Sequence, residues 1–225
     1  FSDQVLPNPL AYLASADLWR VPRSISWPLG YVHGDLHSNN VICPEFQPTK
    51  MKSAAPAVID FDNFEADSCI FFDIAYLELD LAMKMLIPSP AENRRLWLEA
   101  SAYLAQSIKL PDYPPLPAQF LPLHVLILPL RNMAAQVVKQ QPGDFDVAFW
   151  ISRMAAGLSF ARKRKVSNSE RRLALLLAAQ SLRKALDELG TSFEVSGQSL
   201  WVDWEENQEP SNEVQSGSID QTQGT

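Results

Sequence analysis

The apolar pattern changes its period near residue 70, and that change limits the folds open to this chain. Ahead of it the apolar runs are short and β-branched. "NVIC" (Asn40–Cys43) and "AVIDF" (Ala57–Phe61) are bounded on both sides and predict two strands, the second of them buried. The polar, Pro-bearing "PEFQPTKMKSAAP" between them makes the pair a hairpin with a long loop. From Asp73 onward Ile74, Leu77, Leu81 and Met85 recur at helical spacing, and Pro88 follows as a stop. "SPAE" at 89–92 has the form of a helix start: Ser89 can cap, Pro90 suits the first turn and Glu92 completes a capping box. Leu96, Ala100, Tyr103 and Leu104 form its stripe, and "LPDYPPLP" ends it.

Further helices are predicted over 119–140, 144–164 and 169–189, after a short one over 9–20. Pro122 and Pro129 are expected to bend or split the first of these three. Phe149, Met154 and Leu158 make the stripe of the second, while Ser167 and Glu170 open the third and Gly190 closes it. The pattern is α+β: a small β-hairpin followed by a mostly helical body over 1–204, then a polar tail over 205–225 with almost nothing to bury, expected to be disordered.

Charge sharpens this division. Of the formal net charge of −7, residues 201–225 contribute −6, with six acidic residues and no Lys or Arg, which leaves −1 for the body. A nearly neutral body argues against a broad nucleic-acid surface. The basic run "RKRK" (Arg162–Lys165) suits a helix C-terminus, with an anion-binding patch as the alternative. Two Cys, Cys43 and Cys69, make neither a disulfide framework nor a four-ligand zinc site and fit a reducing, cytoplasmic setting. The longest apolar stretch, "FLPLHVLILPL", is too short for a membrane span and carries His124. The chain opens on Phe1 and not Met, which reads as a fragment or an excised domain.

The chemistry concentrates at the front of the hairpin. In "HGDLHSNN", Asp35 follows Gly34, where the missing Cβ lets the backbone turn sharply and a ligand approach. Asn40 comes five residues after Asp35, and Asp60 ends the strand predicted to be buried. A carboxylate in such a place is costly unless it holds a cation or is well hydrogen-bonded. One Asp to orient a hydroxyl, with an Asn and an Asp offering oxygens to Mg²⁺, is the minimal set for phosphoryl transfer. Asp62 reads as a solvated turn residue or a second metal contact, and Asp73 as a helix N-cap.

Taken together, "HGDLHSNN", "VIDFD" and "FFDIA" resemble the catalytic core of the aminoglycoside phosphotransferase and choline kinase group, relatives of the protein kinases. The resemblance spans roughly residues 31–76 and implies a protein-kinase-like C-terminal lobe. It implies Asp35 as catalytic base and His33 as a brace of the loop. It places His37 near the phosphates of ATP, Asn40 and Asp60 on Mg²⁺, and Asp73 as the tie between loop and helix. The sequence departs from the group ahead of the motif: 32 residues precede His33, no Gly-rich loop occurs there, and Lys50 is the first Lys. "DSCIFF" stands where the group often has Gly-Asp-Pro. The chain is also similar to the kinase-like ternary complex associated domains of bacterial conflict and signalling proteins, which are fused to other modules. The acidic tail would suit a linker to such a partner.

Three functions follow as expectations. The first is an ATP- and Mg²⁺-dependent phosphotransferase lobe acting on a small-molecule hydroxyl. The second is a kinase-like regulatory or binding module, motivated by the absent clamping half. The third is a metallohydrolase, with His33, Asp35 and His37 alternating on one strand face and Asp60 and Asp62 adding ligands.

Overall fold

A computed structural model describes residues 6–14, 25, 27–42, 56–86, 104, 118, 121–140, 145–191 and 199–200. The elements are β1 (Leu6–Pro7), α1 (Pro9–Ala14), β2 (Leu29–Val32), a 3₁₀ turn (Ser38–Asn40), β3 (Val41–Ile42), β4 (Ala57–Val58) and β5 (Glu65–Cys69), then α2 (Phe71–Leu86), α3 (Leu121–Gln140), α4 (Phe145–Arg162), α5 (Asn168–Glu188) and β6 (Ser199–Leu200). The architecture is α+β and mostly helical. The helix predicted from residue 89, its Pro-rich stop, Cys43 and the tail all lie outside the described residues. Among those residues no helix is long and apolar enough to cross a membrane.

The strands form three antiparallel pairs, each of two strands: β1 with β6, β2 with β5, and β3 with β4. The predicted hairpin is the last of these, with Val41 opposite Val58 and Ile42 opposite Ala57. Its second strand is not buried. Ala57 and Val58 are exposed, and so are Ile59, Asp60 and Phe61 after them. A two-stranded ribbon has one partner per strand and, among the described residues, no second layer over it, so β-branched composition marks strand without marking burial. The β2–β5 pair carried no alternating pattern. "EADSC" is polar, and its register slips between Gly30 and Val32, where Asp67 takes a left-handed φ of 59° as the extra residue of a bulge.

The helices hold the core. α2 buries Phe71, Ala75, Leu79, Ala82 and Met83, whereas the predicted stripe of Ile74, Leu77, Leu81 and Met85 is only half-buried. The difference has a physical source: α2 packs on α3, α4 and α5 and also on the loop, so no single stripe describes it. α4 is likewise buried around much of its circumference, through Val147, Phe149, Trp150, Met154, Ala156 and Phe160. It lies against α5 at Gly157, where a Cβ would stand 2.8 Å from the Ala174 carbonyl oxygen.

The predicted caps of α5 form. Ser167 Oγ accepts from Glu170 N, Glu170 Oε2 accepts from Ser167 N at 2.7 Å, and Gly190 turns the chain away with φ 65°. α3 is neither split by Pro122, which falls in its first turn where no N–H is needed, nor ended at Pro129, which stands inside it.

Candidate functional site

The loop from His33 to Asn40 owes its shape to anchors on α2. Asp73, Tyr76, Asp80 and Lys84 follow one another at helical spacing and share the face of α2 that looks at the loop. Asp73 lies in the first turn of α2 and not at its N-cap. Its carboxylate accepts from two loop amides, His33 N at 2.6 Å and Gly34 N at 3.0 Å. Burial pushes the Asp73 carboxyl above its ordinary range, and these two N–H groups offset only part of that. Farther along, Asp80 Oδ2 accepts from Ser38 N at 2.8 Å, and Lys84 Nζ donates to Ser38 Oγ and to Asn39 Oδ1.

Gly34 has φ 80°, and a Cβ there would meet the Asn63 carbonyl oxygen at 2.3 Å, so no other residue fits without moving one of the two loops.

Within the loop, each residue singled out by sequence has a defined place. His33 is buried. Its Nε2 donates to the Ile59 carbonyl at 2.8 Å while its Nδ1 accepts from Asp35 N at 3.4 Å, and one neutral tautomer satisfies both. The buried Asn40 donates from Nδ2 to the Asp35 carbonyl at 3.1 Å, and its own backbone carbonyl accepts from Ile59 N at 3.0 Å. Both backbone groups of Ile59 are thus clamped by the loop, and the next residue is Asp60. Asp60 is exposed and holds a left-handed φ of 65°, an uncommon conformation for a residue other than Gly. The Phe61 ring lies 4.9 Å from that of His33. Asp62 is exposed in the following turn.

Asp35 is partly buried, and its two oxygens have different neighbours. Oδ1 accepts from Lys163 Nζ at 2.9 Å, and Oδ2 lies 3.8 Å from His37 Nε2. Lys163 Nζ also stands 5.0 Å from the centroid of the Tyr76 ring. Burial disfavours the ionised Asp35, but the hydrogen bond and charge of Lys163 outweigh it and hold the carboxyl below its ordinary range. Burial alone would lower the Lys163 ammonium; the neighbouring Tyr76 and the bonded Asp35 carboxylate reverse that and raise it.

Lys163 was missed by sequence reasoning. It sits in the "RKRK" run, 128 residues from Asp35, where helix-end charge was explanation enough. No spacing in the sequence connects the two.

The strand geometry that a metallohydrolase would use does not form. β2 ends at Val32, and His33, Asp35 and His37 lie in an irregular loop. Among the described residues no three of His, Cys, Asp and Glu converge as a cation site. The donor set that fits Mg²⁺ is a different one, made of amide and carboxylate oxygens. Asn40 spends its Nδ2 on the loop, and Asp60 stands next to the clamped Ile59.

The described residues thus form a mostly helical α+β fold with a polar loop carried on α2. The sequence model of the ternary complex associated domain 9 family matches residues 1–167, and the chain belongs to that family. The match ends at the N-cap of α5. Neither the curated proteins nor the solved structures contain a match to this chain.

Proposed function

We propose that this domain is a kinase-like phosphotransferase lobe that works with ATP and Mg²⁺ on the hydroxyl of a small molecule. The observation that carries the reading is the clamp on Ile59. It sets the Asp60 backbone beside the segment that holds Asp35 and Asn40, although 20 residues separate Asn40 from Asp60 in sequence. A left-handed Asp is a strained element, and such strain gathers at functional sites.

In this reading Asp35 orients the acceptor hydroxyl and takes its proton. It is ionised at neutral pH, and Lys163 holds its pKa below the ordinary range. Asn40 Oδ1 and the Asp60 carboxylate would hold Mg²⁺, which supplies charge neutralisation on the phosphates when bound. His33 keeps the two segments in register, and Asp73 fixes the turn that presents Asp35.

The test is Mg²⁺-dependent transfer from ATP in the complete protein. Asp35→Asn is expected to lower kcat by at least about a hundredfold with nucleotide binding retained, the low end of what general base catalysis contributes. Unchanged transfer in that variant would remove Asp35 from the role.

A second reading has its own support. The Asp35 carboxylate is already engaged by a cation from the same chain, and the family carries the name of an assembly-associated domain. A regulatory module that binds nucleotide or a partner without turnover fits both. Nucleotide binding without transfer, equal in the parent and Asp35→Asn, would select it.

A further inference from the structure

Beside the loop lies a cavity of about 480 Å³, between the β2–β5 pair and α4, within the size range of small-molecule sites. Trp27, Val32, Phe72 and Ile151 give it an apolar wall. Two further lining residues fix its position relative to the site. Gly34 immediately precedes Asp35, and Arg162 immediately precedes Lys163, so the cavity reaches the neighbours of both members of the Asp35–Lys163 pair.

The charged groups in the wall are not equivalent. Glu65 is already engaged, since its Oε2 accepts from Ser68 Oγ at 2.6 Å. Arg162 is exposed and makes no hydrogen bond or ion pair with the described residues. An unengaged guanidinium presents a planar set of donors that matches a carboxylate or a phosphate.

We propose that this cavity is the acceptor site and that its ligand is a small hydroxyl-bearing acid, with an apolar body against Trp27 and Phe72 and its anionic group on Arg162. The identity of the ligand as acceptor rests on the phosphotransferase reading, whereas binding of the acid does not. The anion selects which alcohols enter, and the apolar wall supplies the affinity that a single exposed ion pair would lack.

Cys69 reports occupancy. Its thiol lines the cavity, 3.3 Å from Ser152 Oγ, and a Cys43→Ser background leaves it the chain's one thiol. The probes are 3-phenyllactate, which has hydroxyl, ring and carboxylate, and the neutral 3-phenylpropane-1,2-diol; the readout is the rate of Cys69 alkylation by iodoacetamide. Phenyllactate is expected to protect Cys69, the diol to protect it more weakly, and Arg162→Gln to weaken protection by the acid about tenfold while leaving the diol unchanged. Arg162 is exposed and has no partner among the described residues, so that substitution leaves the fold intact.

Absence of protection by either probe, or equal protection by the acid in the parent and Arg162→Gln, overturns the proposal. Protection requires neither ATP nor Asp35, so an assay that finds no phosphotransfer leaves this result readable by itself.

Discussion

Two ion clusters lie against different faces of helix α2, and they are built to opposite ends. On one face Glu78 meets Arg131 of α3 and Arg153 of α4. Arg131 forms a fork on the carboxylate, with Nη2 on Oε1 at 2.9 Å and Nε on Oε2 at 3.2 Å, and Arg153 Nη2 shares Oε1 at 2.9 Å. Both guanidinium groups also donate to the Leu104 carbonyl, and Arg153 lies 5.2 Å from the Trp150 ring. On the other face, Asp35 meets Lys163.

Burial raises the carboxyl pKa in both places and a cation wins in both, yet the side-chain exposures are 1% for Glu78 and 26% for Asp35. Water cannot replace a lost partner in the first cluster and can in the second. The deep cluster therefore fixes how α2, α3 and α4 pack, while the shallow one can exchange partners with a ligand. The residue types agree: Arg, planar and permanently charged, serves the buried lock, and Lys, a mobile point charge, serves the loop.

The largest predicted effect breaks the deep cluster. Glu78→Gln leaves two buried guanidinium groups without their counter-charge and is expected to cost about 3–5 kcal/mol in urea unfolding. Burial pulls Arg153 down to about 10, which still leaves it charged at neutral pH, so the variant would hold two buried cations and no counter-charge. Replacing Glu78, Arg131 and Arg153 together by apolar residues of similar size should cost far less than Glu78→Gln, since buried ion clusters are often matched by good packing. If the triple variant were the less stable of the two, the lock would be a net source of stability and the comparison would have to be redrawn.

Next comes packing next to that cluster. Gly157→Val would drive a branched side chain into the Ala174 carbonyl and the Ala178 methyl. A loss of about 1–3 kcal/mol by thermal or urea unfolding is expected from overpacking of this kind.

Asp73 lies between the two extremes of exposure. Asp73→Asn keeps the shape but turns an amino group toward one of the two loop amides, and should cost about 1–3 kcal/mol. The pH dependence has a definite sign. The folded pKa of Asp73 is raised, so its ionisation costs stability at neutral pH, and that cost fades as pH falls through the folded value. Removing that cost at neutral pH, Asp73→Asn should recover only part of what it loses in hydrogen bonding, and the gap by which the parent is the more stable should widen on acidification. A gap that narrows would show that the carboxylate is better accommodated than its burial implies.

The two regions also differ in how far the sequence disclosed them. The helical body was legible because its signals are local: the Ser167–Glu170 box and Gly190 each act within one turn, and the 121–140 and 145–162 helices follow their apolar content. The loop residues His33, Asp35 and Asn40 stood out as a group because Gly34 and the polar density have few other uses in a short span, whereas Asp73 read by itself only as an N-cap and was joined to the loop through the family resemblance. What escaped was long-range. The burial of "AVIDF" depends on a layer that two paired strands do not supply. The α2 stripe was misplaced because four neighbours surround that helix. Glu78 and Arg131 look like surface residues in a sequence, and only the packing of three helices makes them a buried pair. Lys163 reaches Asp35 through the path of α4, which no run of residues encodes.

The smallest effect on stability is expected at Lys163, where the functional effect is most informative. Lys163→Gln removes a half-exposed ion pair and should change unfolding free energy by less than about 1 kcal/mol. The pair's contribution is fully present between the ordinary values of 3.8 for Asp and 10.5 for Lys. It is lost as pH falls through the lowered Asp35 value and as pH rises through the raised Lys163 value. Stability measured across neutral pH should thus differ by a constant small amount between parent and variant.

In the phosphotransferase reading proposed above, transfer activity should not behave so mildly. Without the Lys163 charge, burial acts on Asp35 with less opposition, and its pKa rises from the lowered value. The acid limb of kcat/KM then moves to higher pH, and Lys163→Arg restores it by keeping a cation near Oδ1. A carboxyl NMR titration of Asp35 reads the same shift without turnover, so it applies equally to a domain that binds and does not transfer. An Asp35 titration unmoved by Lys163→Gln would mean that the contact is an incidental surface pair. The distinction between a buried lock and an exchangeable cation would then have no bearing on function.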